Sequence, residues 1–195
     1  MIETKRNDGD RIYIKVLAFF PRNAFLPEPK AMYWEDELLP IRIIKVRAGA
    51  SLKIAEEGIR FTCAVGSRII NLFYEVKRWR WYFEQRISSE GMVSLPPDRR
   101  WAIAEHDGKV YVDVLALCRT DGRPPIPQKL WWTDGREFII DDVDEDDIHQ
   151  AASQVAGAVG LMYLCLIKGF EKHLFFEFSI QRWFVERKAV AGNVR

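Results

Sequence analysis

The chain repeats part of its own sequence, and this internal repeat restricts the possible folds more than any other feature. Seven blocks of similar residues occur twice in the same order, with about twenty identities between them. The blocks begin at residues 11, 27, 32, 50, 58, 72 and 80 and recur at residues 109, 125, 130, 152, 160, 174 and 182. Collinear self-similarity of this kind is the signature of a repeated structural unit. The sequence therefore predicts two homologous modules, copy one at residues 1–86 and copy two at residues 100–188.

The segments outside the two copies have the composition of a connection and a tail. Residues 87–99 contain serines, a glycine and two consecutive prolines, which is typical of a linker. Residues 189–195 are interpreted as a short tail. The linker permits two arrangements, in which the copies either lie side by side or exchange strands into one continuous β unit.

Both copies carry the residue pattern of β-strands. Residues 11–20 are rich in β-branched and aromatic residues. Tyr13, Lys15 and Leu17 alternate with Ile14, Val16 and Ala18, as expected for a strand whose two faces differ. Asp134 and Gly135 stand between two apolar runs, which is a strong hairpin signal. About six or seven short strands per copy predict a mainly β protein, in which each module is a small barrel-like or bent sheet.

One short helix is predicted, in copy two. Residues 147–159 begin with Asp147, a favourable N-cap residue, and place apolar side chains at helical spacing. The aromatic residues that recur in both copies are expected in hydrophobic cores. The main examples are Phe73, Trp81, Phe175 and Trp183, together with the pair Trp34 and Trp132.

Composition excludes several classes of protein. Apolar residues make up 48% and charged residues 29% of the chain, as in an ordinary globular protein. No apolar run approaches the length of a membrane helix, and no signal peptide is recognisable, so no membrane association is expected. The three cysteines, Cys63, Cys118 and Cys165, form no metal-binding or redox motif. This cysteine usage favours a reducing compartment, and the sequence predicts a cytoplasmic protein.

The sequence contains no recognisable catalytic or metal site, and no cofactor is expected. Phosphate-binding loops are missing, and no histidine recurs in both copies. The acidic run at residues 141–147 has no EF-hand spacing and is interpreted as a solvated turn. The best candidates for acid–base chemistry are the repeated carboxylates Glu75 and Glu177, and Glu84 and Glu186. A structural ion pair with a repeated arginine, such as Arg80 or Arg182, is the favoured interpretation of these carboxylates.

The charge distribution points to copy one as a binding surface. Residues 1–86 contain 16 basic and 11 acidic residues, whereas residues 87–195 contain 13 and 17. Arg78, Trp79 and Arg80 interleave cations with an aromatic ring, as in platforms for single-stranded nucleic acid. An alternating strand would place Trp79 on the same face as Trp81. Where copy two has its acidic run, copy one has Lys45 and Arg47, which favour phosphate binding.

One longer pattern resembles known sequences. Residues 125–141 read P-x-P-x-x-x-x-W-x-D-G-R-x-F-x-I-D, and residues 182–186 read R-W-F-V-E. In these motifs the chain is similar to short uncharacterised bacterial β-rich proteins of about the length of one copy. Because the matched residues are mainly turn and core residues, the resemblance implies a fold and no catalytic residue.

Three hypotheses for the function follow from these observations. The first is a non-catalytic interaction module that binds a protein or single-stranded nucleic acid through copy one. The second is a structural or self-assembling accessory protein, with a homo-oligomer as its form. The third is an enzyme with an unrecognised site at the repeated glutamates. The sequence does not name the partner.

Overall fold

The computed structural model describes residues 11–49, 59–84, 92–94, 108–152 and 159–187. Within these ranges the chain forms β-strands and turns and no helix, so the predicted mainly β class is confirmed. The strands are β1 (Arg11–Ile14), β2 (Val16–Phe20), β3 (Glu28–Trp34), β4 (Glu37–Pro40), β5 (Arg42–Gly49), β6 (Ile59–Val65), β7 (Arg68–Glu75), β8 (Arg80–Glu84), β9 (Met92–Ser94), β10 (Lys109–Cys118), β11 (Ile126–Trp131), β12 (Glu137–Ile139), β13 (Asp142–Val143), β14 (His149–Ala152), β15 (Val159–Ile167), β16 (Phe170–Glu177) and β17 (Arg182–Glu186). Over the same ranges, nothing helical is long and apolar enough to cross a membrane.

The chain divides into two compact units, each built mainly from one half of the sequence. Unit 1 contains residues 1–18, 28–99 and 116–126, and unit 2 contains residues 19–27, 100–115 and 127–195. Each unit thus includes a short segment from the other half of the chain. Three residues of the predicted linker form strand β9, which pairs with β5. The predicted limits near residues 86, 99 and 188 lie outside the described residues and stay predictions.

The sheet of unit 1 has six antiparallel strands in the order β1-β8-β7-β6-β5-β9. One face buries alternate side chains of β6, β7 and β8, because successive residues of a strand point to opposite sides. Trp81 is the centre of this face, with its ring 5.2 Å from Phe61 and 4.7 Å from Tyr74. The sheet begins at β1 and ends at β9, and these two edge strands do not pair.

Unit 2 repeats this construction around Trp183. Strands β15, β16, β17 and β10 are neighbours in that order, and β13 and β14 both pair with the free edge of β15. The Trp183 ring lies 4.9 Å from Tyr163 and 4.7 Å from Phe176. The described strands form open sheets, so the barrel-like alternative is wrong. The predicted burial of Trp81, Trp183, Phe73 and Phe175 is confirmed.

The predicted helix at residues 147–159 is wrong where the structure describes it. His149–Ala152 form strand β14, which pairs with β15 from His149↔Met162 to Ala152↔Val159. Before this strand, Asp144 Oδ1 accepts the backbone N–H groups of Asp146 and Asp147 in a turn. Short alanine-rich segments fit helix and strand patterns alike, and the free edge of β15 supplies the hydrogen bonds that decide between them. Residues 153–158 lie outside the described part.

We expect the Trp183→Ala substitution to lower the free energy of unfolding by about 3–5 kcal/mol, because it removes a fully buried ring from the centre of unit 2. Urea denaturation followed by circular dichroism measures this change. The control is Trp34→Ala, since Trp34 is 41% exposed, contrary to the core position expected for it. An equal loss of stability in both variants would contradict the assignment of Trp183 to the core.

Candidate functional site

Glu75, the first repeated carboxylate, is held by three side chains of unit 1. Its Oε1 accepts hydrogen bonds from Tyr13 Oη at 3.0 Å and from Arg11 Nη1 at 3.2 Å. Its Oε2 accepts from Arg80 Nε at 3.0 Å and Nη2 at 2.6 Å. The Arg80 guanidinium also lies over the Tyr13 ring, 4.0 Å from the centroid. The predicted Glu75–Arg80 ion pair is therefore present, and it occupies Arg80, one of the proposed phosphate-binding residues.

Glu177, the matching carboxylate of unit 2, has a different cation. Its Oε2 accepts hydrogen bonds from Lys109 Nζ at 2.7 Å and from Tyr111 Oη at 3.0 Å. Arg182 instead stacks on Tyr111, 3.7 Å from the ring centroid, and burial lowers its pKa. Burial, with the nearby Glu177 charge, raises the pKa of Tyr111 to about 12. The ion pair expected between Glu177 and Arg182 is thus wrong, because Lys109 takes that place.

Both carboxylates act as cross-links between strands. Glu75 joins β7 to β1 and β8, and Glu177 joins β16 to β10. Every hydrogen bond described for these two carboxylates comes from a buried or half-buried basic group or phenol, which is the environment of a structural ion pair. Of the second repeated pair, the Glu84 side chain lies outside the described part, and Glu186 lines a cleft of unit 2.

Trp79 lies in a turn and not on strand β8. The Arg78 N–H donates to Glu75 O at 3.1 Å, and Trp79 has the left-handed φ of 52°. The turn before β17 has the same form, with Gln181 at φ 55°. The predicted alternation of Trp79 with Trp81 on one strand face is therefore wrong. Arg78 is exposed in this turn, and Trp79 is half-buried.

Basic side chains line one face of β5 and β6, and we call them the cationic strip. Arg42, Lys45 and Arg47 of β5 pair in register with Ala64, Thr62 and Arg60 of β6. Alternate residues of β6 share a face, so the four basic residues Arg42, Lys45, Arg47 and Arg60 lie on the same side of the sheet. The two proposed binding residues Lys45 and Arg47 are thereby brought together with Arg60, which sequence reasoning missed.

Arg47 and Arg60 form a directly opposed pair of like charges. Arg60 is only 4% exposed, and its Nε has no hydrogen-bond partner among the described residues. Burial lowers the pKa of Arg60, and the Arg47 charge adds to this shift. Over the same described ranges, none of the four strip residues forms an ion pair. Opposed like charges and a buried N–H without a partner both reduce stability, and the described residues provide no anion that compensates this pair.

Unit 2 provides an internal comparison for this pair. A row of side chains crosses each sheet, with three aromatic residues at one end, and the rows differ at the other end. The rows are Tyr13–Tyr82–Phe73–Arg60–Arg47 in unit 1 and Tyr111–Phe184–Phe175–Met162–His149 in unit 2. The fold therefore accepts Met and His at the positions where unit 1 has two arginines. Comparing Arg60 with Met162 in the repeat is the sequence signal that could have found this residue.

Arg78 lies at the same end of the sheet as the Arg47–Arg60 pair. Strand β7 runs toward this end and leads into the turn with Arg78, and its Tyr74 pairs with Ile59 at the start of β6. The proposed binding residues are therefore divided into three groups: Lys45 and Arg47 in the cationic strip, Arg78 and Trp79 in the adjacent turn, and Arg80 in the ion pair with Glu75.

Comparisons with protein-family models, with curated proteins and with solved structures gave no significant match to this chain. The resemblance to short bacterial proteins stays a prediction.

We expect Glu75→Gln to lower the free energy of unfolding by about 3–5 kcal/mol, since it leaves two arginines without their buried carboxylate. The matched control is Glu28→Gln, which removes an exposed ion pair with Lys30 and is expected to cost less than about 1 kcal/mol. Urea denaturation of both variants measures the difference. Equal effects would show that Glu75 is no cross-link.

The three cysteines are expected to be unreactive in the native protein. Burial raises the pKa of Cys63, Cys118 and Cys165 to about 12, so almost no thiolate forms near pH 7. With an aromatic disulfide reagent at pH 7.5, we expect labelling only at the rate of unfolding, and full labelling in urea. Rapid labelling of a native cysteine would contradict this expectation and identify an accessible nucleophile.

Proposed function

We propose that this protein is a non-catalytic interaction module whose cationic strip binds the phosphate backbone of single-stranded nucleic acid. The observation that carries the proposal is the opposed Arg47–Arg60 pair. It has no anionic partner within the described residues, and the matching positions of unit 2 hold neutral or weakly basic side chains. A bound anion would compensate both charges, which explains why a chain would retain an arrangement that reduces its stability.

The linear form of the strip favours a polyanion over a single anion. Lys45 and Arg47 are two residues apart on one strand, about 7 Å, and Arg42 continues the same line. Regularly spaced charges of this kind suit a phosphodiester chain. Exposed Ile69, opposite Ala64, offers apolar surface beside the strip on which bases can lie. Arg78 and Trp79, in the turn after β7, lie toward the opposite end of the strip, where Arg47 and Arg60 are.

We also propose that the two units arose by duplication and that the protein is cytoplasmic. The similar aromatic rows, the matching left-handed turns at Trp79 and Gln181, and the order β6-β7-β8 against β15-β16-β17 support a duplication. In this interpretation unit 1 carries the binding surface. The three free, buried cysteines are in keeping with a reducing compartment.

The decisive variant is Arg60→Met, which copies the residue of unit 2. We expect it to weaken binding of a fluorescent oligo(dT) at low salt and to raise the free energy of unfolding by about 1 kcal/mol, because it removes the like charge opposite Arg47 and a buried N–H without a partner among the described residues. The slope of log affinity against log salt should become shallower by about 0.7 for each phosphate contact that is lost. Lys15→Gln, which removes an exposed cation next to β1, beyond β7 and β8 from the strip, should change neither quantity.

Fluorescence anisotropy and urea denaturation make these two measurements. Lack of oligo(dT) binding by the wild-type chain at micromolar concentration would overturn the proposal, as would wild-type affinity in Arg60→Met. Tighter binding of polyglutamate than of oligo(dT) would also overturn it, and would identify an acidic protein segment as the partner.

A further inference from the structure

Unit 2 contains a cleft of about 530 Å³ that none of the carboxylate networks uses. Its apolar wall is formed by three aromatic and three aliphatic side chains. They are Trp132, Phe138, Phe175, Leu130, Ile167 and Val185. Clefts of this size and composition are typical of sites for small organic molecules.

The cleft opens where two strands of the sheet separate. Strands β15 and β16 pair over seven positions, but β16 and β17 pair at only three, ending at Phe175↔Phe184. The last residues of β17 pair with β10 instead, at Val110↔Val185 and Lys109↔Glu186. The first residues of β16 and the end of β17 therefore diverge. Trp132, beside hairpin β11–β12, and Phe138 of β12 line the space that results.

Unit 1 has the same strand divergence, and there an aromatic ring of its own chain lies against the tryptophan. Strands β7 and β8 also pair at three positions, ending at Phe73↔Tyr82. The next residue, Phe83, has its ring 5.7 Å from the ring of Trp34. The sequence repeat matches Trp34 with Trp132 and Phe83 with Val185. Unit 2 therefore keeps the tryptophan but lacks the phenyl ring that lies against it in unit 1.

We propose that the cleft of unit 2 binds a small molecule with an aromatic ring, which lies against Trp132 as Phe83 lies against Trp34. Aromatic pairs in offset or tilted contact attract each other beyond the burial of area, and an apolar space lined by such rings accepts an aromatic guest. Glu171, Lys172 and His173 also line the cleft and offer charged or polar contacts to the remainder of the ligand. This site is separate in sequence and in chemistry from the cationic strip.

The test uses 4-fluorobenzyl alcohol as the probe and follows its ¹⁹F signal with the full-length chain. We expect the wild-type protein to shift or broaden this signal. Val185→Phe should weaken probe binding by about tenfold or more, because the added ring fills the cleft from within the chain. Val185→Ala, the matched control at the same position, should retain binding.

The reciprocal variant in unit 1 makes the test independent of the folding of Val185→Phe. Phe83→Val should create a second cleft beside Trp34 and raise the number of bound probe molecules from one to two. The proposal is overturned if the wild type leaves the ¹⁹F signal unchanged up to the solubility limit of the probe, or if Val185→Phe binds as tightly as the wild type. It is also overturned if acetyl-Gly-Phe-Gly-amide binds more tightly than the free probe, which would identify a peptide as the occupant.

Discussion

Each unit depends on a short hairpin whose strands are joined by only three residue pairs. In unit 1 the last pair before the turn is Glu75↔Arg80, and in unit 2 it is Glu177↔Arg182. A ladder this short holds its register poorly through backbone hydrogen bonds alone. Two additions hold it in place: a buried carboxylate with its cation and phenol, and a stacked aromatic pair two residues away. The rings of Phe73 and Tyr82 lie 5.1 Å apart, and those of Phe175 and Phe184 lie 5.0 Å apart.

This anchoring explains why the rest of each sheet is free to vary. Once the carboxylate and the stacked rings define the register, the side chains at neighbouring strand positions only have to suit the face of the sheet on which they lie. Unit 1 uses this freedom to place Arg60 and Arg47 at the end of the aromatic row, and unit 2 has Met162 and His149 there. Beyond the third pair, unit 1 places the Phe83 ring against Trp34, and unit 2 has a cleft beside Val185. Both proposed binding sites therefore lie at positions where the two units share a strand arrangement but differ in their side chains.

Sequence reasoning succeeded where the signal is local and failed where it depends on register. The burial of Trp81 and Trp183 follows from alternation along one strand, and the pairing of Glu75 with Arg80 spans a single turn. Arg60 was missed because its importance comes from lying opposite Arg47, which is 13 residues away in the sequence and is brought close only by the pairing of β5 with β6. The helix assigned to residues 147–159 failed for a related reason, since the edge of β15 that captures His149–Ala152 is not visible in their own sequence.

By itself, the sequence determined the β class, the repeated aromatic positions and the central tryptophans, because strand alternation and turn residues act over a few neighbouring positions. Only the tertiary structure decided which cations are neutralised and which are not. Arg80 forms an ion pair with Glu75. Glu177, the carboxylate expected for Arg182, pairs with Lys109 instead, and Arg60 lies opposite another arginine. The physical reason is that a charge interacts with whatever the strand register places within a few ångströms, and the register brings together residues that are far apart in the sequence.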